Sequence, residues 1–271
     1  MTLGEVLRGT TDYLAARGVE SPRVDAELLL ARALGLQRIE LYTQHDRPLT
    51  EDERARAREL VQRRGRREPL AYILGDWGFR RLVLATDARA LVPRPETELV
   101  VDRALTLLRR SSEQRLIDVG TGSGAIALSV ALELPGSHVT ATDASPDALA
   151  LARENAERLG LDVAFREGDL LAGAEGPFDV IVSNPPYVRA AELDTLAAEV
   201  RDWEPHPALV EDGQTERLIA AARDVLAGWL VLEVHEERAE EVASAMAGYS
   251  EVRITPDLAG RPRVVEGRWT P

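Results

Sequence analysis

The sequence predicts a doubly wound α/β fold preceded by a small helical domain. Apolar residues recur at helical spacing through the first 70 residues, and from residue 94 short apolar strands alternate with helical stretches. A glycine-rich turn directly follows the first of those strands. A chain of 271 residues with 45% hydrophobic content is long enough for one large and one small domain.

Residues 1–70 are predicted to form a small helical bundle. Its third segment, residues 50–67, begins with Thr50 as a possible N-cap, followed by three acidic residues, and ends in arginines. Acidic residues at the start and basic residues at the end complement the helix dipole. We therefore interpret the arginines at 63–67 as a solvated helix end, with a partner-binding patch as the alternative. Residues 71–93 are predicted to be a connector hairpin, because glycines break their short apolar runs.

The remaining residues, 94–271, are predicted to form the large domain around seven strands. Helical stretches separate the first five strands, which implies a parallel sheet, and the last two are close enough in sequence to pair antiparallel at its edge. The predicted strands span residues 116–119, 139–142, 163–166, 180–183, 229–234, 252–255 and 263–266.

Composition excludes several kinds of chemistry. The chain has no cysteine, and its 33 basic residues are all arginine. A thiolate nucleophile, a Cys-ligated metal, a Schiff base and a Walker-type phosphate loop are therefore ruled out. The four histidines show no metal-ligand spacing, so we expect no metal site.

Charge and hydropathy indicate where the protein works. The net charge is −13, although residues 1–75 carry 13 arginines against 12 acidic residues, so the acidity belongs to the rest of the chain. Such acidity disfavours direct binding to nucleic acid. No apolar run approaches the roughly 18 residues of a membrane span. The first residues also lack the pattern of a signal peptide. We expect a soluble, cytoplasmic protein without a membrane contact.

A glycine-rich turn and an acid after the next strand indicate a nucleotide-type ligand. Glycines there let a ligand approach the backbone, and Asp143 at the end of the second strand could accept both hydroxyls of a ribose. The turn is tighter than the GxGxxG spacing that binds a pyrophosphate, which favours S-adenosylmethionine over NAD. A purely structural tight turn is the alternative. The turn comprises Gly120, Thr121, Gly122, Ser123 and Gly124.

Three further residues are candidates for cofactor contacts. Asp118, just before the glycine turn, could reach the cationic end of the methionine moiety directly or through water. Asp169 follows the third strand, where its side chain could meet the adenine amino group, although an ordinary surface acid is the alternative. Leu170 beside it could pack against the adenine ring.

The tetrad Asn184, Pro185, Pro186 and Tyr187 follows the fourth strand and predicts amine or amide chemistry. Two prolines fix a rigid turn and direct carbonyls outward as acceptors. The Asn184 oxygen and the Pro185 carbonyl could each accept one hydrogen of a substrate NH2 group, with Tyr187 covering a planar substrate. The nitrogen lone pair would then face a sulfonium methyl group. A proline-rich loop with no chemistry is the alternative, and it loses weight because the same sheet carries the glycine turn and Asp143.

Beyond these two motifs, the sequence resembles the glutamine methyltransferases that act on class 1 peptide chain release factors. The resemblance covers nearly the whole chain, in LVPRPETE from residue 91, GTGSGAIAL from 120, NPPYV from 184, WEPHPAL from 203 and DLAG from 257. It implies a Rossmann-like seven-stranded methyltransferase sheet, S-adenosylmethionine as cofactor, and the glutamine of a Gly-Gly-Gln motif as substrate. Cofactor contacts are implied at 120–124, Asp143, Leu170 and Asn184, substrate contacts at 184–187, and a docking role for the helical domain.

The chain departs from that family in places. Members of the family often have a glycine near the position of Arg81 and an aromatic residue near that of Leu84. They usually have a glycine where this chain has His235, and often an aromatic residue where it has Leu170. These departures concern local loop shape and adenine packing. Three other functions remain as alternatives: a methyltransferase of a nucleic-acid amine, a non-catalytic adaptor with the same fold, and an NAD-dependent dehydrogenase, which would leave the NPPY tetrad without a role.

Overall fold

A computed structural model describes residues 1–108 and 114–271. Its chain forms two compact units. The first contains Met1–Gly75 together with Ala197–Trp203, and the second contains Asp76–Leu196 and Glu204–Pro271. The chain therefore enters the first unit twice. Residues 197–203 were assigned by sequence to the large domain, because nothing in their composition distinguishes them from a loop helix.

The first unit is helical. Capping boxes start two of its helices: the hydroxyl of Thr2 accepts from the backbone of Glu5, and Thr50 and Glu53 repeat the pattern. Leucines at helical spacing fill its centre. The helices are α1 (Leu3–Ala15), α2 (Pro22–Leu34), α3 (Glu40–Thr43), α4 (Glu51–Gly65), α5 (Leu70–Leu74) and, from the second passage of the chain, α9 (Ala198–Trp203).

One arginine of the predicted solvated helix end is buried inside this unit. Arg64 is only 5% exposed. Its Nε donates to Asp25 and its Nη2 donates to Glu199 on α9, both at 2.7 Å. The interpretation of a solvated helix end is therefore wrong for Arg64, because acids far away in sequence supply partners that local spacing does not reveal.

The second unit contains a hairpin and a seven-stranded sheet. The hairpin pairs β1 (Asp76–Phe79) with β2 (Leu82–Ala85). In the sheet, the strand order is β5-β4-β3-β6-β7-β9-β8, parallel except for β9, which runs antiparallel to both neighbours. The strands are β3 (Arg115–Val119), β4 (His138–Asp143), β5 (Ala164–Glu167), β6 (Phe178–Ser183), β7 (Leu226–Glu233), β8 (Ser250–Pro256) and β9 (Pro262–Arg268).

Alternate residues of the central strands pack into two apolar clusters. Leu116 of β3 belongs to a cluster with α6, whereas its neighbour Ile117 belongs to one with α10. This alternation is the pattern of a sheet covered on both faces. The helices of the unit are α6 (Glu98–Leu108), α7 (Ala125–Glu133), α8 (Pro146–Leu159), α10 (Gln214–Val225) and α11 (Ala239–Ala245), with 3₁₀ turns at Pro95–Thr97, Ala190–Thr195, His206–Ala208 and Glu236–Arg238.

The predicted fold class is confirmed, including the antiparallel edge. The largest boundary difference is in β7, which begins three residues before the predicted start at Trp229. Gly228 lies in the added part of the strand. A Cβ at that position would lie 2.0 Å from the carbonyl oxygen of Asp179, so glycine is what allows β7 to approach β6 there. Within the ranges described above, no helix is long and apolar enough to cross a membrane.

Candidate active site

The carboxyl ends of neighbouring parallel strands bring the predicted site residues to one edge of the sheet. Val119, the last residue of β3, is in register with Thr142 of β4 and with Ser183 of β6. Gly120, Asp143 and Asn184 therefore leave the sheet side by side. Chain connections run in opposite directions from β3 and β6, and such a switch point is where doubly wound sheets bind ligands.

A cavity of about 470 Å³ opens at this edge. Its size is in the range of sites for small ligands. The lining includes ten of the predicted site residues, namely Gly120, Thr121, Gly122, Ser123, Asp143, Asp169, Leu170, Asn184, Pro185 and Pro186. Gly124, Tyr187 and Asp118 do not belong to the lining.

The glycine turn is held in a conformation that side chains rarely adopt. Gly120, Gly122 and Gly124 have φ values of 72°, 57° and 87°. A Cβ at Gly120 would meet no atom within 4 Å, so its environment is open space beside the cavity. A Cβ at Gly124 would lie 2.9 Å from Leu128 Cδ1. The first glycine therefore leaves room for a ligand, and the third allows α7 to pack.

Asp143 connects the glycine turn to the next helix. One carboxylate oxygen accepts from the backbone N–H of Gly122 and the other from that of Ser145, both at 2.9 Å. Burial raises the pKa of Asp143 above its usual value, while these backbone hydrogen bonds oppose the rise. Each oxygen keeps a lone pair for a further donor, so the carboxylate fits a ribose as well as the turn.

Asp118 lies beneath the glycine turn, fully buried. Its Oδ2 accepts from the Thr121 hydroxyl at 2.7 Å and from the backbone of Ala127 at 3.1 Å. Its Oδ1 has no hydrogen-bond partner among the residues described. Burial raises the pKa of Asp118 to about 7. This carboxylate supports the turn from below and is not itself part of the cavity lining.

Asp169 and Leu170 line the far side of the cavity. The Asp169 carboxylate forms an ion pair with Arg217 at 2.9 Å, with both side chains largely exposed. Leu170 has a φ of 54°, an uncommon conformation for a leucine, and its carbonyl accepts from the Thr142 hydroxyl at 3.2 Å. That hydrogen bond helps to hold Leu170 at the cavity wall.

Asn184 is oriented by a residue from a distant part of the chain. Its side-chain Nδ2 donates to the hydroxyl oxygen of Thr97 at 3.2 Å. Thr97 is buried at the end of the 3₁₀ turn before α6. Because the amide nitrogen is occupied, the amide oxygen of Asn184 is the atom left available as an acceptor.

Tyr187 lies beyond the two prolines, beside His235. The two rings are tilted at 42°, with centroids 6.1 Å apart. Burial raises the pKa of the Tyr187 hydroxyl to about 12, and the nearby Glu233 adds to the rise. The phenol is therefore uncharged across the working pH range.

Sequence reasoning missed several side chains around the cavity. Residues 89–94 line it, although the sequence analysis predicted no site residue in the connector or at its end. Asn155, buried in α8, bridges the hairpin backbone at Ala85 to the carbonyl of Ser123 in the glycine turn. Arg94 pairs with the buried Glu204 at 2.6 Å. The motifs LVPRPETE and WEPHPAL contain Arg94 and Glu204 and were the available signal.

Among the residues that the structure describes, no three or more histidine or acidic side chains lie close enough together to hold a metal ion.

Comparison with known proteins places these motifs in a family. The model described as PrmC N-terminal domain matches residues 5–75, and the one described as methyltransferase small domain matches residues 98–215. A release factor glutamine methyltransferase of Deinococcus radiodurans is 46% identical over 99% of both chains. The chain belongs to the release factor glutamine methyltransferase family. Another family member, from Geobacter sulfurreducens, is 42% identical over 98% of this chain and 96% of its own.

A solved structure supports the fold of this family member. A methyltransferase from Pyrococcus furiosus has a TM-score of 0.54 and 21% identity, over 71% of this chain and 91% of its own. The methyl donor of such enzymes is S-adenosylmethionine. The residues present fit it, because the open space at Gly120 and the remaining acceptor capacity of Asp143 lie on one cavity.

Proposed function

We propose that this enzyme transfers a methyl group from S-adenosylmethionine to the side-chain amide nitrogen of the glutamine in the Gly-Gly-Gln motif of class 1 peptide chain release factors. The observation that carries the proposal is the hydrogen bond between Asn184 and Thr97 in the cavity lining, in a chain related over 99% of its length to an enzyme of that name. The bond leaves the amide oxygen of Asn184 free as an acceptor, and the Pro185 carbonyl follows it directly in the chain.

Two acceptors at this position suit a planar NH2 group. The Asn184 oxygen and the Pro185 carbonyl each accept one hydrogen of the glutamine amide, which holds the plane of the amide fixed. Pro186 stiffens the turn, and Tyr187 covers the substrate. An amide nitrogen is a weak nucleophile because its lone pair is delocalised, so fixing its orientation is the main catalytic contribution.

The same two acceptors stabilise the reaction as it proceeds. A new carbon–nitrogen bond forms while the carbon–sulfur bond of the donor breaks, and the nitrogen becomes more positive. Hydrogen bonds from that nitrogen to neutral oxygen acceptors strengthen as the charge develops. One amide proton then leaves the nitrogen and is lost to solvent. Bound S-adenosylmethionine supplies the electrophilic methyl group.

The cofactor is proposed to lie along the cavity lining. The backbone of residues 120–124 approaches it, Asp143 binds the ribose hydroxyls, and Leu170 packs against the adenine. Asp169 is proposed to meet the adenine amino group. Its pairing with Arg217 means that this contact would be shared with an arginine. Asn184 is proposed to touch both cofactor and substrate.

The first 70 residues are proposed as a docking domain for the release factor, with residues 71–93 as the connector and 94–271 as the catalytic domain. Residues 1–75 have nearly balanced charge, while the rest of the chain is strongly acidic. This makes the helical unit the more suitable surface for an acidic protein. Binding energy from a remote contact can order the glutamine at the reacting centre, so losing it lowers turnover as well as affinity.

The docking role is testable in the full-length chain. Arg8, Arg58 and Arg66 are exposed on the helical unit, and the triple change to glutamate should lower kcat/KM for a folded release factor at least tenfold. Affinity for S-adenosylmethionine should not change. Arg158→Glu, an exposed charge reversal in the other unit, is the control. Equal loss in the control variant would contradict the docking role.

The methylation itself is tested with labelled S-adenosylmethionine and a purified release factor, followed by peptide mass mapping. The label should appear on the glutamine of the Gly-Gly-Gln peptide. A label found on DNA or RNA instead would favour the nucleic-acid amine, which the acidic charge of the catalytic unit disfavours. Because peptide chain release takes place in the cytoplasm, we also infer a cytoplasmic location.

A further inference from the structure

A buried carboxylate with no role in the proposed mechanism lies next to Asn184. Ser183 of β6 is in register with Leu232 of β7, so the residues that follow them, Asn184 and Glu233, are neighbours at the site edge. Glu233 is only 1% exposed. Neither of its carboxylate oxygens has a hydrogen-bond partner within the ranges the structure describes. A buried carboxylate without a partner is costly, which suggests a functional reason for keeping it.

The alternation of side chains along β7 directs Glu233 toward Thr97. Trp229 and Val231, at alternate positions of β7, pack into the cluster that contains α6. Glu233 continues this alternation, and Thr97 immediately precedes α6. The Thr97 hydroxyl lies close enough to lower the pKa of the Glu233 carboxylate as a hydrogen-bond donor, although the pair falls short of full hydrogen-bond geometry.

The Thr97 hydroxyl needs such an acceptor. Its oxygen already accepts from Asn184 Nδ2, so its own proton must point elsewhere. No other side-chain hydrogen bond of Thr97 is formed among the described residues. An ionised Glu233 is an acceptor only. A Thr97 proton directed at this carboxylate would fix the order of donation, from the Asn184 amide to the Thr97 hydroxyl and from that hydroxyl to Glu233.

We propose that Glu233 is a positioning residue for methyl transfer, which acts through Thr97 to keep the amide oxygen of Asn184 turned toward the substrate. This inference rests on the proposed function, since it concerns how the two acceptors for the substrate amide are held in position. Protonated Glu233 would instead donate to Thr97. The Thr97 hydroxyl would then donate to the Asn184 oxygen. The amide would rotate to accept this hydrogen bond, which would turn its oxygen away from the substrate nitrogen.

The groups around Glu233 allow its ionisation to change near neutral pH. Burial raises its pKa to about 7. Thr97 and Arg263 oppose the rise, Glu96 adds to it and Arg94 opposes it. Burial raises the pKa of Tyr187, and the charge of Glu233 adds to that rise. Because the ionised form of Glu233 keeps the Asn184 oxygen turned toward the substrate, kcat should fall as the pH decreases through about 7.

The test is kcat against pH for methylation of a folded release factor, at saturating S-adenosylmethionine. The Glu233→Gln profile separates Glu233 from Asp118 and Asp143, whose pKa values burial also raises and which this variant leaves in place. For the wild-type enzyme, we expect kcat to fall about tenfold between pH 8 and pH 6, the change in the ionised fraction of one such group. In Glu233→Gln, whose amide oxygen still accepts but does not titrate, kcat should vary less than about twofold over that range.

Two more variants and a control complete the experiment. Glu233→Ala should lower kcat about tenfold at pH 8, and Thr97→Val should do the same, with Thr97→Ser restoring most of the loss. Glu237→Gln, an exposed change four residues further along, should keep the wild-type profile. Cofactor affinity and melting temperature show whether each variant is folded.

A Glu233→Gln profile that falls with pH as the wild type does would overturn the proposal, and so would a Glu233→Ala enzyme with wild-type kcat at pH 8. Neither result would affect the proposed function. That function fails instead if the wild-type enzyme leaves the glutamine unmethylated.

Discussion

The carboxylate of Asp143 accepts a 2.9 Å hydrogen bond from the backbone N–H of Gly122, so the proposed ribose acid also holds the glycine turn in place. Replacing Asp143 with alanine should therefore raise the Kd for S-adenosylmethionine about 10-fold to 100-fold, through both the lost ribose contact and a looser turn. Titration calorimetry measures the change. The exposed Asp147→Ala should bind normally, and an unchanged Kd for Asp143→Ala would rule out the ribose role.

A variant at Asn184 should affect the methyl-transfer step far more than it affects cofactor binding. Asn184→Ala should lower kcat for glutamine methylation about 100-fold or more, because the lost oxygen stabilises charge that develops on the nitrogen only in the transition state. Cofactor affinity should change far less. Single-turnover kinetics with a folded release factor checks the rate. Near-normal turnover would show that the Pro185 carbonyl positions the amide without Asn184.

Two glycines of the same turn should respond differently to alanine. Both Gly120→Ala and Gly124→Ala force a side chain into a positive φ, which costs about 1–2 kcal/mol. Only Gly124→Ala also collides with Leu128, so it should lower the melting temperature more. Gly120→Ala should mainly weaken binding of S-adenosylmethionine, because its methyl group projects into open space beside the cavity. Equal melting temperatures for the two variants would contradict this division.

Arg64 should be important for the stability of the helical unit. Arg64→Met leaves the buried carboxylate of Asp25 without its cation and leaves Glu199 with Arg67 alone, and breaking such a buried pair costs about 3–5 kcal/mol. Arg58→Met, on the exposed side of the same helix, is the matched control and should cost little. Denaturant unfolding measures both. A small loss for Arg64→Met would mean that solvent reaches the acids readily.

Glu233 should also make stability depend on pH. Its pKa rises from 4.5 in the unfolded chain to about 7 in the folded one, so the folded state favours the protonated form. The associated stability is fully present below pH 4.5 and is lost as the pH rises through about 7, to a total of up to about 3 kcal/mol. Glu233→Gln should therefore gain melting temperature over the wild type at pH 8 but not at pH 5. A constant difference would contradict the shifted pKa.

The sequence predicted the sheet better than it predicted the surroundings of the cavity. The strands follow from short apolar runs, and their parallel arrangement follows from the helices that separate them, so a strand such as residues 116–119 needs no distant information. The partners of Asn184 and Arg64 come from 87 and 135 residues away, and no spacing rule connects them. Thr97 lies within the LVPRPETE motif, yet only the fold shows that its hydroxyl accepts a hydrogen bond from Asn184.

The second entry of the chain into the helical unit has a consequence for biosynthesis. Residues leave the ribosome in order, so helices α1 to α5 emerge more than a hundred residues before Glu199. Until then Arg64 has Asp25 alone as a carboxylate partner. The helical unit reaches its final form only after β6 has been made, so this N-terminal unit matures much later than the emergence of its first five helices would allow. A nascent chain stalled before residue 197 should therefore contain a helical unit that proteases cut more readily than the finished one.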